Sequence, residues 1–304
     1  MVLIMRDMIS IRDLEKKEIE LLLKMAAENE AEIKKGIEPK KTGKVMATLF
    51  FEASTRTKLS FQTAALRKGL TYIDFLTETS SVKKGETFID TIKVIDGYAD
   101  VIVARHPKEG ALRLAADLAN HPVINGGDGG NQHPTQTLID LYTMKKEKGK
   151  IEGLNVSLVG DLKHARTMHS LLYALAMFGA NITLIAPKGL EMEKEHLEEV
   201  KKKFGAKIIT KSDLDAVGAD VLYVCRIQAE RFADPLEAKR VQEQFRITSE
   251  NLKGSKPDLV ILHPLPKVNE IAQEVDESRN AKYFSQAHNG VPVRMAVIDY
   301  ALGK

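Results

Sequence analysis

The sequence has no tryptophan and a single cysteine, Cys225, in 304 residues. One thiol cannot close an intrachain disulfide, and it excludes a cysteine-based zinc site. Aromatic residues make up only 6% of the chain. No apolar run is long enough to span a bilayer, and the N-terminal segment carries Arg6, Arg12 and Asp13 in place of a signal-peptide core. A cytoplasmic location and no membrane partner are therefore expected. Charge of one sign is not in excess either: 45 Lys and Arg stand against 42 Asp and Glu, a net +3. That balance gives no electrostatic reason to expect a nucleic-acid partner. What is present is a chain 43% hydrophobic and 29% charged, long enough for two domains of ~150 residues each.

The apolar periodicity predicts an amphipathic helix over Ile11–Ile33, with Ile19, Leu22, Leu23 and Ala26 on one face. Strands and helices then alternate: Val45–Phe51, Thr55–Lys68, Thr71–Leu76, Glu86–Tyr98, Val101–Ala104, Gly110–Ala119, Pro122–Ile124 and Thr135–Lys146. The polar run Lys145–Lys150 marks a domain boundary. The pattern restarts with a strand at Asn155–Val159, a helix at Arg166–Phe178, a strand at Ile182–Ile185 and a helix at Glu193–Phe204. Further strands follow at Val221–Cys225 and Leu259–Leu262, and a helix after Pro292. Such alternation predicts an α/β fold of two domains, each a parallel sheet flanked by helices. Ligands of such sheets bind beyond the carboxyl ends of the strands, which puts the expected site in the interdomain cleft.

The chemistry-bearing residues cluster just after predicted strands. Ser54-Thr55-Arg56-Thr57 sits at a strand-to-helix turn, where amides, hydroxyls and a guanidinium suit a phosphate. Ser54 and Thr55 could equally serve as plain helix caps. Arg105 ends a strand. The stretch from Asn125 to Thr137 packs glycines ahead of His133-Pro134-Thr135-Gln136, and His133 and Gln136 share one side of a first helical turn. Gly160-Asp161-Leu162-Lys163-His164-Ala165-Arg166 resembles a dinucleotide turn but lacks its glycine spacing, so a nicotinamide reading is rejected. Arg226 and Gln228 alternate around Ile227 and would face one way in extended chain. Leu262-His263-Pro264-Leu265-Pro266 is held extended by its prolines.

Together these motifs resemble those of the aspartate and ornithine carbamoyltransferases, over nearly the whole chain. The resemblance implies that Ser54, Thr55, Arg56 and Thr57 hold phosphate. Thr57, Arg105 and His133 would donate to a developing oxyanion, and Gln136 with the carbonyls of Leu265 and Pro266 would hold the carbamoyl nitrogen. Lys84, Arg166, Arg226 and Gln228 match the aspartate-binding residues. Lys84 and Ser81, with Ser80 as the neighbouring choice, match a loop that serves the next subunit. Pro264 replaces the cysteine of ornithine-specific relatives, which favours aspartate. Departures from the family pattern are Gly127 and Gly130, His164-Ala165, Lys267 and Asn269.

The implied activity is transfer of a carbamoyl group from carbamoyl phosphate to L-aspartate in pyrimidine biosynthesis, with no cofactor and no metal. The implied assembly is a homotrimer with shared active sites, joined in part of the family by zinc-containing regulatory chains. The implied domains are a carbamoyl-phosphate-binding one at 1–148, onto which a helix at about 286–304 packs back, and an aspartate-binding one at 149–285. The rival readings are a carbamoyltransferase for another amine, a non-catalytic metabolite-binding relative, and a plain nucleotide-binding protein.

Overall fold

A computed structural model describes residues 5–76, 84–228, 232 and 234–304. The chain divides into two compact units, Met1–Tyr142 with Asn289–Lys304, and Thr143–His288. The first division falls inside a helix rather than at the polar run that follows it.

The first unit holds strands β1 (Val45–Phe50), β2 (Thr71–Leu76), β3 (Val101–His106) and β4 (Val123–Asp128) in the order β2-β1-β3-β4, all parallel. The strand after β1 lies to one side of it and the next to the other, so the topology switches between β1 and β3. Ala47, Leu49, Ile102 and Ala104 project to the face covered by α3 (Phe88–Asp96) and α4 (Ala111–Leu118), where Ile92, Leu112 and Ala115 meet them. By alternation, the buried Met46, Val101 and Val103 face the opposite side. Three further helices pack on one another: α1 (Lys16–Lys34), α2 (Thr55–Arg67) and α10 (Gly290–Ala301). Nearly every residue of α10 is buried, which explains its lack of an amphipathic pattern.

The second unit repeats the plan with β5 (Asn155–Val159), β6 (Asn181–Ile185), β7 (Ile208–Lys211), β8 (Val221–Val224) and β9 (Val260–Leu262), ordered β7-β6-β5-β8-β9 and again all parallel. Here the switch lies between β5 and β8. Helices α6 (Arg166–Met177), α7 (Lys194–Phe204), α8 (Pro235–Gln244) and α9 (Tyr283–His288) accompany it. Both units tie their central strands in the same way. The Asp100 N–H donates to the Val45 carbonyl and the Asp100 carboxylate accepts the Val45 N–H, both at 2.8 Å; Asp220 does the same for Asn155, both at 2.8 Å.

Several expected boundaries move. A short 3-10 turn, Ile11–Asp13, precedes α1, so the first helix starts later than its apolar pattern suggests. The stretch Asn125–Asp128, expected as loop because of its glycines, continues β4. Pairing with β3 forms the strand there against local propensity. Strand β7 and helix α8 were not expected at all.

Gly160, immediately after β5, has φ 122° and would place a Cβ 2.3 Å from the Cys225 carbonyl oxygen. The ends of β5 and β8 therefore meet only because this residue has no side chain. Gly160→Ala should destabilise the fold by roughly 2–4 kcal/mol, read as a lower urea midpoint; an unchanged midpoint would show that the two strand ends can separate freely.

Candidate active site

In the first unit, the loop after β1 and the end of β3 converge at the topological switch. Ser54 occupies the N-cap position of α2 yet makes no side-chain capping bond. Its hydroxyl instead accepts from Arg105 Nη1 at 3.4 Å. Of the two readings of this turn, the plain cap is therefore not realised, and the first-turn amides of α2 are not satisfied by Ser54. Thr55 and Arg56 are exposed, while Thr57 is 6% exposed, its methyl lying where a Cβ on Gly126 would come within 3.6 Å.

Arg105 is held on three sides. Its Nε donates to Glu52 Oε2 at 3.2 Å, and Nη1 also donates to the Gly126 carbonyl at 3.4 Å. The strand pairing explains its aim. Ala104 pairs with Asn125 and His106 with Asp128, so Gly126 and Gly127 together oppose Arg105 in a bulge. Gly127 has φ 122°, and its N–H is accepted by Asn125 Oδ1 at 2.6 Å. Asp128, 1% exposed, gathers the rest of the loop by accepting from Gly110 N–H, Asn125, Asn131 and Gln132 N–H. The glycine-rich stretch is thus a hydrogen-bonded strand and turn.

Helix α5 (Pro134–Lys148) follows. His133 is 5% exposed, and its carbonyl accepts the N–H groups of Gln136 and Thr137. Gln136 donates through Nε2 to Asp140 Oδ1 at 2.8 Å, one turn later, which fixes the orientation of its amide. Asp140 is fully buried, and its charge acts on the buried Arg294 of α10. Burial pulls the Arg294 guanidinium well down from its ordinary value, and Asp140 opposes that pull. Arg294 also lies 5.0 Å over the Phe61 ring of α2. The C-terminal helix thereby packs on the helix that follows Ser54, while its buried arginine senses the charge of Asp140 on the helix that carries Gln136. A pocket of about 690 Å³ beside this site is lined by Glu52, Ser54, Thr55, Lys58, Gln62 and Asp74, among others.

In the second unit, Arg166 is the first residue of α6, and Ala165 at its N-cap has no side chain able to cap it. The preceding turn is held by Asp161, which accepts the His164 N–H at 3.0 Å and lies 3.0 Å from His164 Nδ1. Beyond β8, Arg226 is exposed and Gln228 half-buried, while Ile227 between them belongs to the core. Burial thus alternates along Arg226, Ile227 and Gln228. Cys225 is buried, and burial pushes its thiol well up, which removes it as a nucleophile at neutral pH.

The segment after β9 carries Leu265 and Pro266. His263 Nδ1 accepts the Leu265 N–H at 2.8 Å, and its Nε2 lies 2.8 Å from Glu270 Oε1. Burial alone would raise the Glu270 carboxyl; bonds from His263 and from backbone N–H groups outweigh it and hold the group below the usual carboxylate range. Lys84 is exposed; Ser80 and Ser81 lie outside the described residues.

Five residues with clear roles in this geometry were not singled out from sequence: Glu52, Asp140, His263, Glu270 and Arg294. Asp140 was detectable, being four residues after Gln136 on a helix. Glu52 pairs with an arginine 53 positions away, and no local pattern reveals that.

The molecule is an α/β protein of two parallel sheets. The switch point of each sheet presents arginines and a helix start without a side-chain cap, suited to anionic small molecules. Residues 6–146 match the family description "Aspartate/ornithine carbamoyltransferase, carbamoyl-P binding domain", and residues 152–301 match "Aspartate/ornithine carbamoyltransferase, Asp/Orn binding domain". The chain belongs to the aspartate/ornithine carbamoyltransferase family. It is 52% identical over 302 residues to the aspartate carbamoyltransferase catalytic subunit of Methanopyrus kandleri, covering 98% of this chain and 97% of that one. The catalytic subunit of M. jannaschii aspartate transcarbamoylase superposes with a TM-score of 0.92 at 47% identity, covering 98% of each chain. The Trypanosoma cruzi enzyme in complex with N-(phosphonacetyl)-L-aspartic acid gives 0.93 at 35% identity, covering 98% of this chain and 96% of that one.

Arg105→Ala should lower turnover by about 10²–10³ with a much smaller change in the aspartate concentration needed. Steady-state rates at saturating substrate measure this. Near-parental turnover would remove Arg105 from the reacting centre.

Proposed function

We propose that this chain is a catalytic chain that transfers the carbamoyl group of carbamoyl phosphate to the amine of L-aspartate. The products are N-carbamoyl-L-aspartate and phosphate, in pyrimidine biosynthesis in the cytoplasm. The observation that carries the reading is the matched pair of switch points, one with Ser54–Thr57 and Arg105, the other with Arg166, Arg226 and Gln228.

The chemistry follows from charge. The aspartate amine attacks the carbamoyl carbon, a C–N bond forms, and the carbonyl oxygen gains negative charge. Thr57, Arg105 and His133 donate to that oxygen, while Gln136 and the carbonyls of Leu265 and Pro266 hold the carbamoyl NH2. The C–O bond to phosphate then breaks. Phosphate leaves with the electron pair, stabilised by Ser54, Thr55, Arg56, Thr57 and Ser81, and accepts the amine proton. Orientation and electrostatic stabilisation are the whole of the catalysis; no covalent enzyme intermediate is formed. Two fixed arginines, Arg166 and Arg226, with Gln228 and Lys84, suit a dicarboxylate. Ornithine would need an acidic receptor for its side chain.

The reading also includes a homotrimer in which Ser81 and Lys84 serve a neighbour's site. Supporting this, β2 is an edge strand whose Tyr72, Ile73 and Leu76 are exposed, and Leu59 and Leu66 are exposed on α2. An apolar edge of this kind invites a second copy. Sedimentation at assay concentration should report three chains of 33.8 kDa; a fully active monomer contradicts the shared site.

Comparing L-aspartate with L-ornithine as acceptor tests the activity. Turnover should be confined to aspartate, and Arg226→Ala should raise the aspartate requirement on the order of 10²-fold, in line with loss of a charged partner. Ornithine turnover, or an unchanged aspartate dependence in that variant, would overturn the substrate assignment.

A further inference from the structure

We infer that His263 and Glu270 are positioning residues for the acceptor carbonyls of Leu265 and Pro266. This rests on the reading that those carbonyls hold the carbamoyl NH2. Leu265 has φ 56°, the only positive value at a non-glycine among the described residues. The left-handed region is unfavourable for such a residue, so neighbouring groups have to hold it there. The Leu265 N–H is taken by His263 Nδ1 at 2.8 Å. With Nδ1 accepting, the imidazole proton sits on Nε2, which donates to Glu270 Oε1 at 2.8 Å. The other carboxylate oxygen, Glu270 Oε2, accepts the N–H groups of Val268 at 3.1 Å and Asn269 at 3.0 Å. The segment from 263 to 270 is thereby closed into a ring on one imidazole and one carboxylate, which are 2% and 8% exposed.

The ring is anchored at both ends. The His263 N–H donates to Gln286 Oε1 of α9 at 2.9 Å, and the Ile247 N–H bonds the Glu270 carbonyl at 2.8 Å. The Leu265 side chain packs against the second unit's core. A small cavity of about 40 Å³ is lined by Arg226, Asn269 and Glu270, so the same ring borders the arginine assigned to aspartate. Neither residue need touch the reacting atoms. Their work is to turn Leu265 into a conformation it would not otherwise keep, with its carbonyl and that of Pro266 available.

The test measures binding of carbamoyl phosphate and of inorganic phosphate to the full chain and three variants, with thermal midpoints alongside. His263→Ala should weaken carbamoyl phosphate about tenfold while phosphate stays within about twofold, because the phosphate residues belong to the other unit. His263→Asn, whose Oδ1 can accept an N–H two residues on, should recover carbamoyl phosphate affinity to within about threefold of the parent. Glu270→Gln keeps an acceptor for His263 but turns an NH2 toward the N–H groups of Val268 and Asn269, and should show the same selective loss as the alanine variant. If His263→Ala does not fold, the other two variants decide. Parental affinity in Glu270→Gln, an asparagine variant with the selective loss undiminished, or loss of both ligands together with the thermal midpoint would each overturn the inference. A parent chain that binds the two ligands alike would instead overturn the reading of the carbonyls themselves.

Discussion

The contact on which the rest depends is the Arg105 guanidinium lodged between the Glu52 carboxylate, the Ser54 hydroxyl and the Gly126 carbonyl. Its side chain is 12% exposed, and a desolvated cation is costly unless charge and hydrogen bonds compensate it. Glu52 supplies the charge. The bulge of β4 supplies the carbonyl, and the uncapped start of α2 releases the hydroxyl. Each of these is a backbone decision made elsewhere: two glycines opposite one arginine, a parallel sheet whose order reverses at β1, and a helix braced by Arg294 on Phe61. A guanidinium held this way is fixed in advance, which is the condition that the proposed electrostatic catalysis requires.

The second unit reaches a similar result by the same architecture and different side chains. Its switch point lies between β5 and β8, and the close approach there is made by Gly160 against Cys225. The aspartates that tie the central strands, Asp100 and Asp220, are equivalent in the two units. The candidate site residues are not. One unit offers hydroxyls and an arginine suited to phosphate, the other a helix start and two arginines suited to carboxylates. The scaffold is thus repeated, and specificity lies in the loops.

Most of the fold was legible because buried parallel strands read as short apolar runs and their helices as amphipathic ones. The elements that were not read lack that contrast. Three of the four residues of β7 are exposed, and it carries Thr210 and Lys211. Helix α8 buries only Ala238, so its one readable feature was the Asp234-Pro235 start. Strand β4 was cut short because glycines argue for loop until a partner strand is known. The candidate residues were legible where a motif gathers them, as at Ser54–Thr57. Their long-range supports were not: Glu52 meets Arg105, and Arg294 meets Phe61, only in three dimensions. In the sequence His263 is one residue of a proline-rich segment, and its bond to Glu270 exists only with the turn folded.

In the proposed reaction one switch point takes the phosphate end and the other takes the dicarboxylate end. Calorimetric titration of N-(phosphonacetyl)-L-aspartic acid into the parent chain, Arg105→Ala and Arg226→Ala tests it most directly, because that molecule carries both ends. The parent should bind it tightly, and each variant should lose affinity on the order of 10²-fold, with phosphate alone weakened only by Arg105→Ala. Parental affinity in either variant, or phosphate binding that depends on Arg226, would contradict it.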